Sequence, residues 1–218
     1  MPTTYDHIAG QNKERLAAIS DGIFGVAMTL MLLEIHTPVA AAVKGEVSLL
    51  LALKGIAPAF LVYLMSYMTL GIFWVGQQTE LNHIERSDRH LTWLHLAFLF
   101  FVTILPLSTR LLTEFIQLRV ALLFYWFNIL LLGGGLLVSW RYAIAAHLVS
   151  DSIPGHVRDA ICRRIVIGQS LYAVGAALCI FNTYCSIAAI VLVQLNYVIG
   201  LRLPWSRDFA AGPDDDEE

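Results

Sequence analysis

Charge is scarce in this chain. Only 14% of its 218 residues are acidic or basic against 57% hydrophobic ones, and the mean hydropathy is +0.66. That balance excludes an ordinary water-soluble domain, which needs more polar surface, and describes a chain whose solvent is mostly lipid. With a formal net charge of −3, no nucleic-acid partner is expected. Cysteine is nearly absent: Cys162, Cys179 and Cys185 show no metal-ligand spacing, and two sit in apolar runs where cysteine behaves as a small hydrophobe. Neither a zinc site nor a disulfide framework follows. The chain also lacks His-Glu-x-x-His and Gly-x-Ser-x-Gly, and its seven histidines are scattered, so an intramembrane enzyme would have no nucleophile–base pair or metal cluster to work with. No cofactor is expected. The centres of the apolar runs contain almost no ionisable residues, which a proton-coupled transporter would need there.

What is present is apolar length. Six segments are long enough for a helix to cross about 30 Å of hydrocarbon: Leu16 to Ile35, Ile56 to Gly76, Leu91 to Leu112, Val120 to Trp140, Ile165 to Phe181 and Tyr184 to Leu203. The fold class is therefore an all-α integral membrane protein with six transmembrane helices per subunit. Pro58 lies near a helix end, and the second span can begin near Val47 with Lys54 snorkelling to an interface. Asn182 and Thr183 alone separate the last two spans, which predicts a tight antiparallel hairpin. Trp74, Trp93, Trp140 and Trp205 fall near predicted helix ends, where indoles favour the interface; Trp126 does not fit this belt. Gly133-Gly134-Gly135 reads more readily as close helix packing than as an unwound substrate site.

Six spans place both termini on one side. With cytoplasmic termini, Lys13, Arg15, Arg86, Arg89, Arg141, Arg158, Arg163, Arg164, Arg202 and Arg207 lie inside and Lys44, Lys54, Arg110 and Arg119 outside. The positive-inside rule favours that arrangement, a multi-pass protein of the cell membrane with lipid as its surroundings. The longest polar connection is expected between Ala143 and Arg164, with Pro154 and Gly155 as its turn signal. Residues 1–205 read as one six-helix domain, and 206–218, ending in Asp214, Asp215, Asp216, Glu217 and Glu218, as a solvated, disordered cytoplasmic tail. Lys13 and Arg15, the run Ile23 to Leu33 and Ala40 to Ala42 mimic a secretory signal. The run is nevertheless long enough to remain as a span, and its removal would split the termini.

The stretch Arg15 to Ile35, RLAAISDGIFGVAMTLMLLEI, is the most informative. It places an arginine, a serine and an aspartate at the start of a bilayer-length apolar segment. Charge in hydrocarbon costs at least a few kcal/mol, so such residues pair, face a bundle interior or line an aqueous path; the arrangement suggests an ion pathway. At 100° per residue Ile19, Val26, Leu30 and Leu33 share a narrow stripe with Thr29 at its edge, Arg15 lies one turn below Ile19, and Ser20 and Asp21 point elsewhere. Taken alone, the stripe reads as a helix-packing seam, and Ser20 and Asp21 read as caps on the first amides of a helix.

Arg15, Ile19, Ser20 and Asp21, continuing into GIFGVAMTLMLLEI, resemble the arginine-x-x-x-phenylalanine-serine-aspartate signature of the transmembrane-175 family, the bacterial relatives of the endosomal and lysosomal potassium channel. Phe73-Trp74 with the polar run to His83, then Leu91-Thr92-Trp93-Leu94-His95-Leu96 and Leu105-Pro106-Leu107-Ser108-Thr109-Arg110, resemble its second and third helices. The second half of the chain is similar by hydropathy only. Two departures stand out: Ile19 replaces the motif's phenylalanine, and Gln77-Gln78 follows Trp74 where many relatives have histidine. An amide still donates and accepts hydrogen bonds but takes no proton near neutral pH.

The resemblance implies a homotetrameric channel whose first helix lines a central pore for monovalent cations, potassium over sodium. The chain has no TVGYG-like loop, so a carbonyl filter is not implied. Carried over by position, Val26, Leu30 and Leu33 form a hydrophobic gate, Thr29 supplies hydroxyl contacts for selectivity, and Glu34 raises cation concentration at the outer mouth or is simply a solvated interfacial carboxylate. Arg15, Ile19, Ser20, Asp21, Trp74 and His95 form a structural network, with His95 either a partner of Ser20 or Asp21 or a satisfied structural histidine. The competing expectations are a non-conducting membrane scaffold and a proton-coupled transporter.

Overall fold

The computed structural model of the chain describes residues 13–35, 43–150 and 152–199. The acidic tail, Arg202, Trp205, Arg207 and Ala40 to Ala42 lie outside them. Among the described residues the regular structure is helical: α1 Lys13–Leu33, α2 Glu46–Gly55, α3 Ala57–His83, α4 Arg89–Glu114, α5 Arg119–Ala145, α6 Gly155–Ala177 continued by a 3-10 turn Leu178–Ile180, and α7 Thr183–Ile199. Five segments are long and apolar enough to span a bilayer (α1, α3, α4, α5 and Gly155–Ile180), and the 17-residue α7 is a shorter apolar helix.

Three expectations are corrected. The segment before Pro58 does not extend the second span. It forms the separate α2, because proline has no amide hydrogen and its ring disfavours helical backbone just before it, so Pro58 opens the first turn of α3 instead. No residue of α2 is buried. At its other end, α3 runs to His83 rather than stopping at Gly76. The polar residues there continue the helix because Gln77, Glu80 and Leu81 turn inward together. The connection expected from Ala143 to Arg164 shrinks to the residues between Ala145 and Gly155, since Gly155 opens α6.

Local chemistry explains the turns. Asp88 caps α4, accepting from the Leu91 amide at 2.7 Å, and also accepts from the Tyr142 hydroxyl at 2.5 Å. At the end of α5, His147 takes a left-handed φ of 54°, the Leu148 amide donates to Ala143 O at 2.9 Å and the His147 amide to Ile144 O at 3.1 Å. This pair of bonds is the Schellman arrangement, which satisfies carbonyls the helix leaves open. The chain then pairs briefly with the α3–α4 connection through an Ile84–Val149 bridge. The expected hairpin forms: Asn182 Oδ1 accepts from the Tyr184 amide at 2.8 Å, and α6 and α7 meet at Gly168 with Tyr197, Gly175 with Ile190 and Gly175 with Ser186. Those pairs run in opposite directions along the two helices, as an antiparallel hairpin requires.

The main core joins α1, α3, α4 and α5 around Phe24, Met31, Phe98, Leu105 and Leu132, with the hairpin of α6 and α7 added through Tyr172, Ile187 and Ile190. A second cluster at one end contains Leu16, Leu81, Ile84, Leu91 and Trp140. Trp140 therefore leaves the expected interfacial belt. It is fully buried and donates to Arg158 O at 3.2 Å, because α5 continues past it to Ala145. Trp74 likewise lies well inside α3, whereas Trp93, near the start of α4, is exposed. The glycine triplet sits in an unbroken α5: a Cβ at Gly135 would lie 3.3 Å from Phe98, and one at Gly133 would collide with the Gln169 side chain. Close packing, not unwinding, explains two of the three.

Candidate functional site: the first helix and its anchor

The faces of α1 divide cleanly. Leu16, Ser20, Phe24, Ala27 and Met31 are buried. About 120° around the helix, at 100° per residue, Ile19, Val26, Leu30 and Leu33 are 47%, 57%, 46% and 78% exposed. The seam reading therefore applies to the buried face, and among the described residues the predicted stripe stays largely exposed, with Ile19, Val26 and Leu30 bordering an open groove beside Thr103 and Pro106 of α4. Thr29, also exposed, donates its hydroxyl to its own helix, at 2.9 Å from Val26 O and 3.1 Å from Gly25 O. The donor is thus engaged, and the hydroxyl's remaining capacity is as an acceptor directed away from the helix.

The anchor is polar. Ser20 donates to Leu16 O at 2.9 Å and accepts from Gln77 Nε2 at 2.8 Å, both in a buried setting. Asp21 Oδ1 accepts from Trp74 Nε1 at 2.8 Å and from Gln78 Nε2 at 3.0 Å. The capping reading of Ser20 and Asp21 fails, because α1 begins at Lys13, two turns earlier. Trp74, Gln77 and Gln78 occupy adjoining turns of α3, so the two motif residues of α1 are held by one stretch of one neighbouring helix. The glutamines that depart from the resemblance are therefore the donors to the motif. His95 is not a partner of either residue: its Nδ1 lies 3.2 Å from Leu91 O and its buried Nε2 has no hydrogen-bond partner. Arg15 is exposed one turn below Ile19. Lys13, at the start of α1, donates to Ile84 O at 3.0 Å. Beyond the other end, Glu34 pairs with Arg110 at 3.4 Å, and Arg110 also holds Glu114 at 3.0 Å. Glu34 is thus neither lone nor simply solvated.

A second polar group was not expected from the sequence. Tyr125 Oη lies 3.0 Å from Thr69 Oγ1 and 3.3 Å from Ser66 Oγ, Thr109 donates to Ser66 at 2.8 Å, and Gln194 Nε2 reaches Thr69 at 2.6 Å. It ties α3, α4, α5 and α7 at the back of α1, with Thr109 in contact with Met31 Sδ at 3.7 Å. Four hydroxyls spread over α3, α4 and α5 and one amide on α7 give no local signal of meeting. Buried networks of this kind rigidify a core when satisfied, and here every hydroxyl is bonded while Gln194 Oε1 is left without a partner. Among the described residues, no cluster of histidine, cysteine, aspartate and glutamate is arranged to hold a metal.

The chain matches the model of the family "Endosomal/lysosomal potassium channel TMEM175" over residues 15–106, the part that carries the anchor. A potassium channel of Chamaesiphon minutus is 29% identical over 85% of this chain and 93% of its own length. The Bos taurus endosomal/lysosomal proton channel TMEM175 is 36% identical over 48% of this chain, a match that spans 23% of the bovine protein. The fold superposes on the crystal structure of a lysosomal potassium-selective channel TMEM175 homolog from Chamaesiphon minutus with a TM-score of 0.75, at 26% identity, covering 88% of this chain and 98% of the other. In its motif and its fold this all-helical chain is similar to the TMEM175 family, whose model it matches over residues 15–106, and to a bacterial potassium channel over nearly that protein's full length.

Proposed function

We propose that the chain is a cation channel rather than an enzyme, that four copies surround a pore lined by α1, and that the pore passes potassium in preference to sodium. The observation that carries this reading is the division of α1. One face is locked into the bundle by Ser20 and Asp21, while the Ile19, Val26, Leu30 and Leu33 face is left largely exposed among the described residues of a single subunit. An apolar stripe on a helix whose other side is anchored is supplied with partners by symmetry copies of itself. Rings of Val26, Leu30 and Leu33 would narrow such a pore until water leaves it, which is a hydrophobic gate. The potassium-channel relative and the solved potassium-selective homolog support the choice of ion.

Alternating helix directions bring the start of α1 and the end of α7 to the same end of the bundle, where Lys13 meets Ile84 and Tyr197 meets Arg164. The positive-inside count makes that end cytoplasmic and the cell membrane the location. Glu34, held by Arg110 at the other end, then stands near the outer mouth. Proton conduction is the second reading, favoured by the proton-channel names of the vertebrate relatives.

Cysteine cross-linking tests the architecture. Val26→Cys and Leu33→Cys should form inter-subunit disulfides under mild oxidation, while a cysteine at Val138, on the exposed face of α5, should not. Cross-links at Val138 with none at Val26 and Leu33 would move the pore off α1. Selectivity has its own variant: Thr29→Val keeps approximate shape and removes four acceptor oxygens from the pore. The reversal potential under opposed potassium and sodium gradients should move toward zero while the tetramer remains intact. An unchanged reversal potential would shift selectivity to the apolar constriction itself.

A further inference from the structure

Glu80 lies on α3 one turn beyond Gln77, is 1% exposed, and neither of its carboxylate oxygens has a hydrogen-bond partner. It lines a cavity of about 80 Å³ between α3, α5, α6 and α7. Two further oxygen-bearing groups line the same cavity. Gln169 uses its Nε2 on Ile129 O at 3.3 Å and leaves Oε1 unpaired, and the Tyr172 hydroxyl, with the Gln194 side chain beside it, keeps acceptor capacity. Glycines let the lining side chains take their places: a Cβ at Gly133 would collide with the Gln169 amide, and one at Gly168, which lines the cavity, would stand 2.9 Å from Tyr197 Oη. Arg164 also lines the cavity, but it is exposed, and its guanidinium rests over the Tyr197 ring with its carbon 5.8 Å from the centroid.

We infer that this cavity is a binding site for one small monovalent cation, sodium or potassium, ligated by the Glu80 carboxylate with the Gln169 and Tyr172 oxygens. An isolated carboxylate in a low-dielectric interior is strongly unfavourable unless a proton neutralises it or a positive charge meets it. The donors are carboxylate, amide carbonyl and phenol oxygens, the hard set that suits hard cations. A single carboxylate matches a single positive charge, and the Arg164 guanidinium nearby disfavours a divalent ion. The volume accommodates a dehydrated ion and one or two waters, each with a share of roughly 30 Å³. The site lies within one subunit and involves none of the α1 stripe, so it stands whether or not the pore assignment does. Its occupant would bridge α3 to α6 and so fasten the α6–α7 hairpin to the rest of the bundle.

Thermal unfolding of the purified full chain, freed of alkali cations in N-methyl-D-glucamine chloride and titrated with sodium or potassium chloride at constant ionic strength, tests the site. The wild-type midpoint should rise saturably, by about 3–6 °C once the ion exceeds its dissociation constant tenfold. Glu80→Gln keeps the shape, removes the charge and should lose most of that rise; any part due to ions in the pore remains in this variant. Tyr172→Phe, which deletes one hydroxyl, should move the titration midpoint to several-fold higher cation concentration. In crystals soaked with rubidium, an anomalous peak should appear beside Glu80. An equal rise in Glu80→Gln, or a wild-type midpoint that answers to pH but not to either cation, would overturn the assignment in favour of a neutral, protonated Glu80.

Discussion

Val26→Asn and Leu33→Asn tetramers should carry more potassium than the wild type, by about tenfold for every ~1.4 kcal/mol taken off the barrier to wetting the constriction. In the proposed tetramer each substitution changes four side chains at once. Val26 and Leu33 are 57% and 78% exposed within the subunit, so neither is part of the packing that holds α1 in place, and polar replacements there cause no loss of core burial. What they change is the lining. A ring of apolar groups too narrow for water forces an ion to shed hydration without compensation, whereas amide groups hydrogen-bond water and hold it in the ring. The measurement is potassium flux into liposomes containing matched amounts of intact tetramer. Unaltered flux in both variants would defeat the hydrophobic-gate assignment.

Asp21→Ala should damage assembly before it damages conduction. The carboxylate accepts from Trp74 at 2.8 Å and Gln78 at 3.0 Å, so its removal leaves two donors of α3 without their partner and frees the neighbouring turn of α1. Hydrogen bonds to charged acceptors are worth roughly 1.5–3 kcal/mol each in shielded positions, with a discount here because Asp21 is exposed within one chain. Asp21→Asn retains the carbonyl acceptor and should recover part of the loss. Arg15→Ala, one turn below Ile19, is expected to behave in the same direction through loss of charge at the helix start. Size-exclusion chromatography in mild detergent reads the outcome as a shift from tetramer to smaller species, with lowered thermal stability. Normal tetramers with unchanged currents in Asp21→Ala would mean that the motif neither builds nor tunes the pore.

Hydropathy and helix periodicity made the long helices and the two-sided character of α1 legible, because both depend on properties repeated along many residues. What failed depended on who meets whom. The extension of α3 past Gly76 was hidden because Gln77 and Glu80 are polar, and polar residues read as a loop unless a neighbouring helix is known to cover them. Trp140 was misplaced for the converse reason: its position near an apparent helix end suggested an interface, but α5 continues through Arg141 and Tyr142, and that turn is roofed by the second cluster. Ser20 and Asp21 stand out in the sequence as polar residues in an apolar segment, yet they are not caps, because α1 starts two turns before them in a stretch with little apolar pattern. Two of their donors, Gln77 and Gln78, stand in the sequence only as a departure from the family's histidine. Only the packing of α1 on α3 turns the substitution into a bond.

The central claim is that this chain, alone and assembled through α1, passes potassium in preference to sodium. Purified protein reconstituted into a planar bilayer, with potassium chloride on one side and sodium chloride on the other, measures it in one experiment. The account predicts a stationary current whose reversal potential lies on the potassium side and is lost on dissociation of the tetramer. A current reversing at zero, a current carried by protons alone, or no current from intact tetramers of the wild type and of Val26→Asn alike, would contradict it.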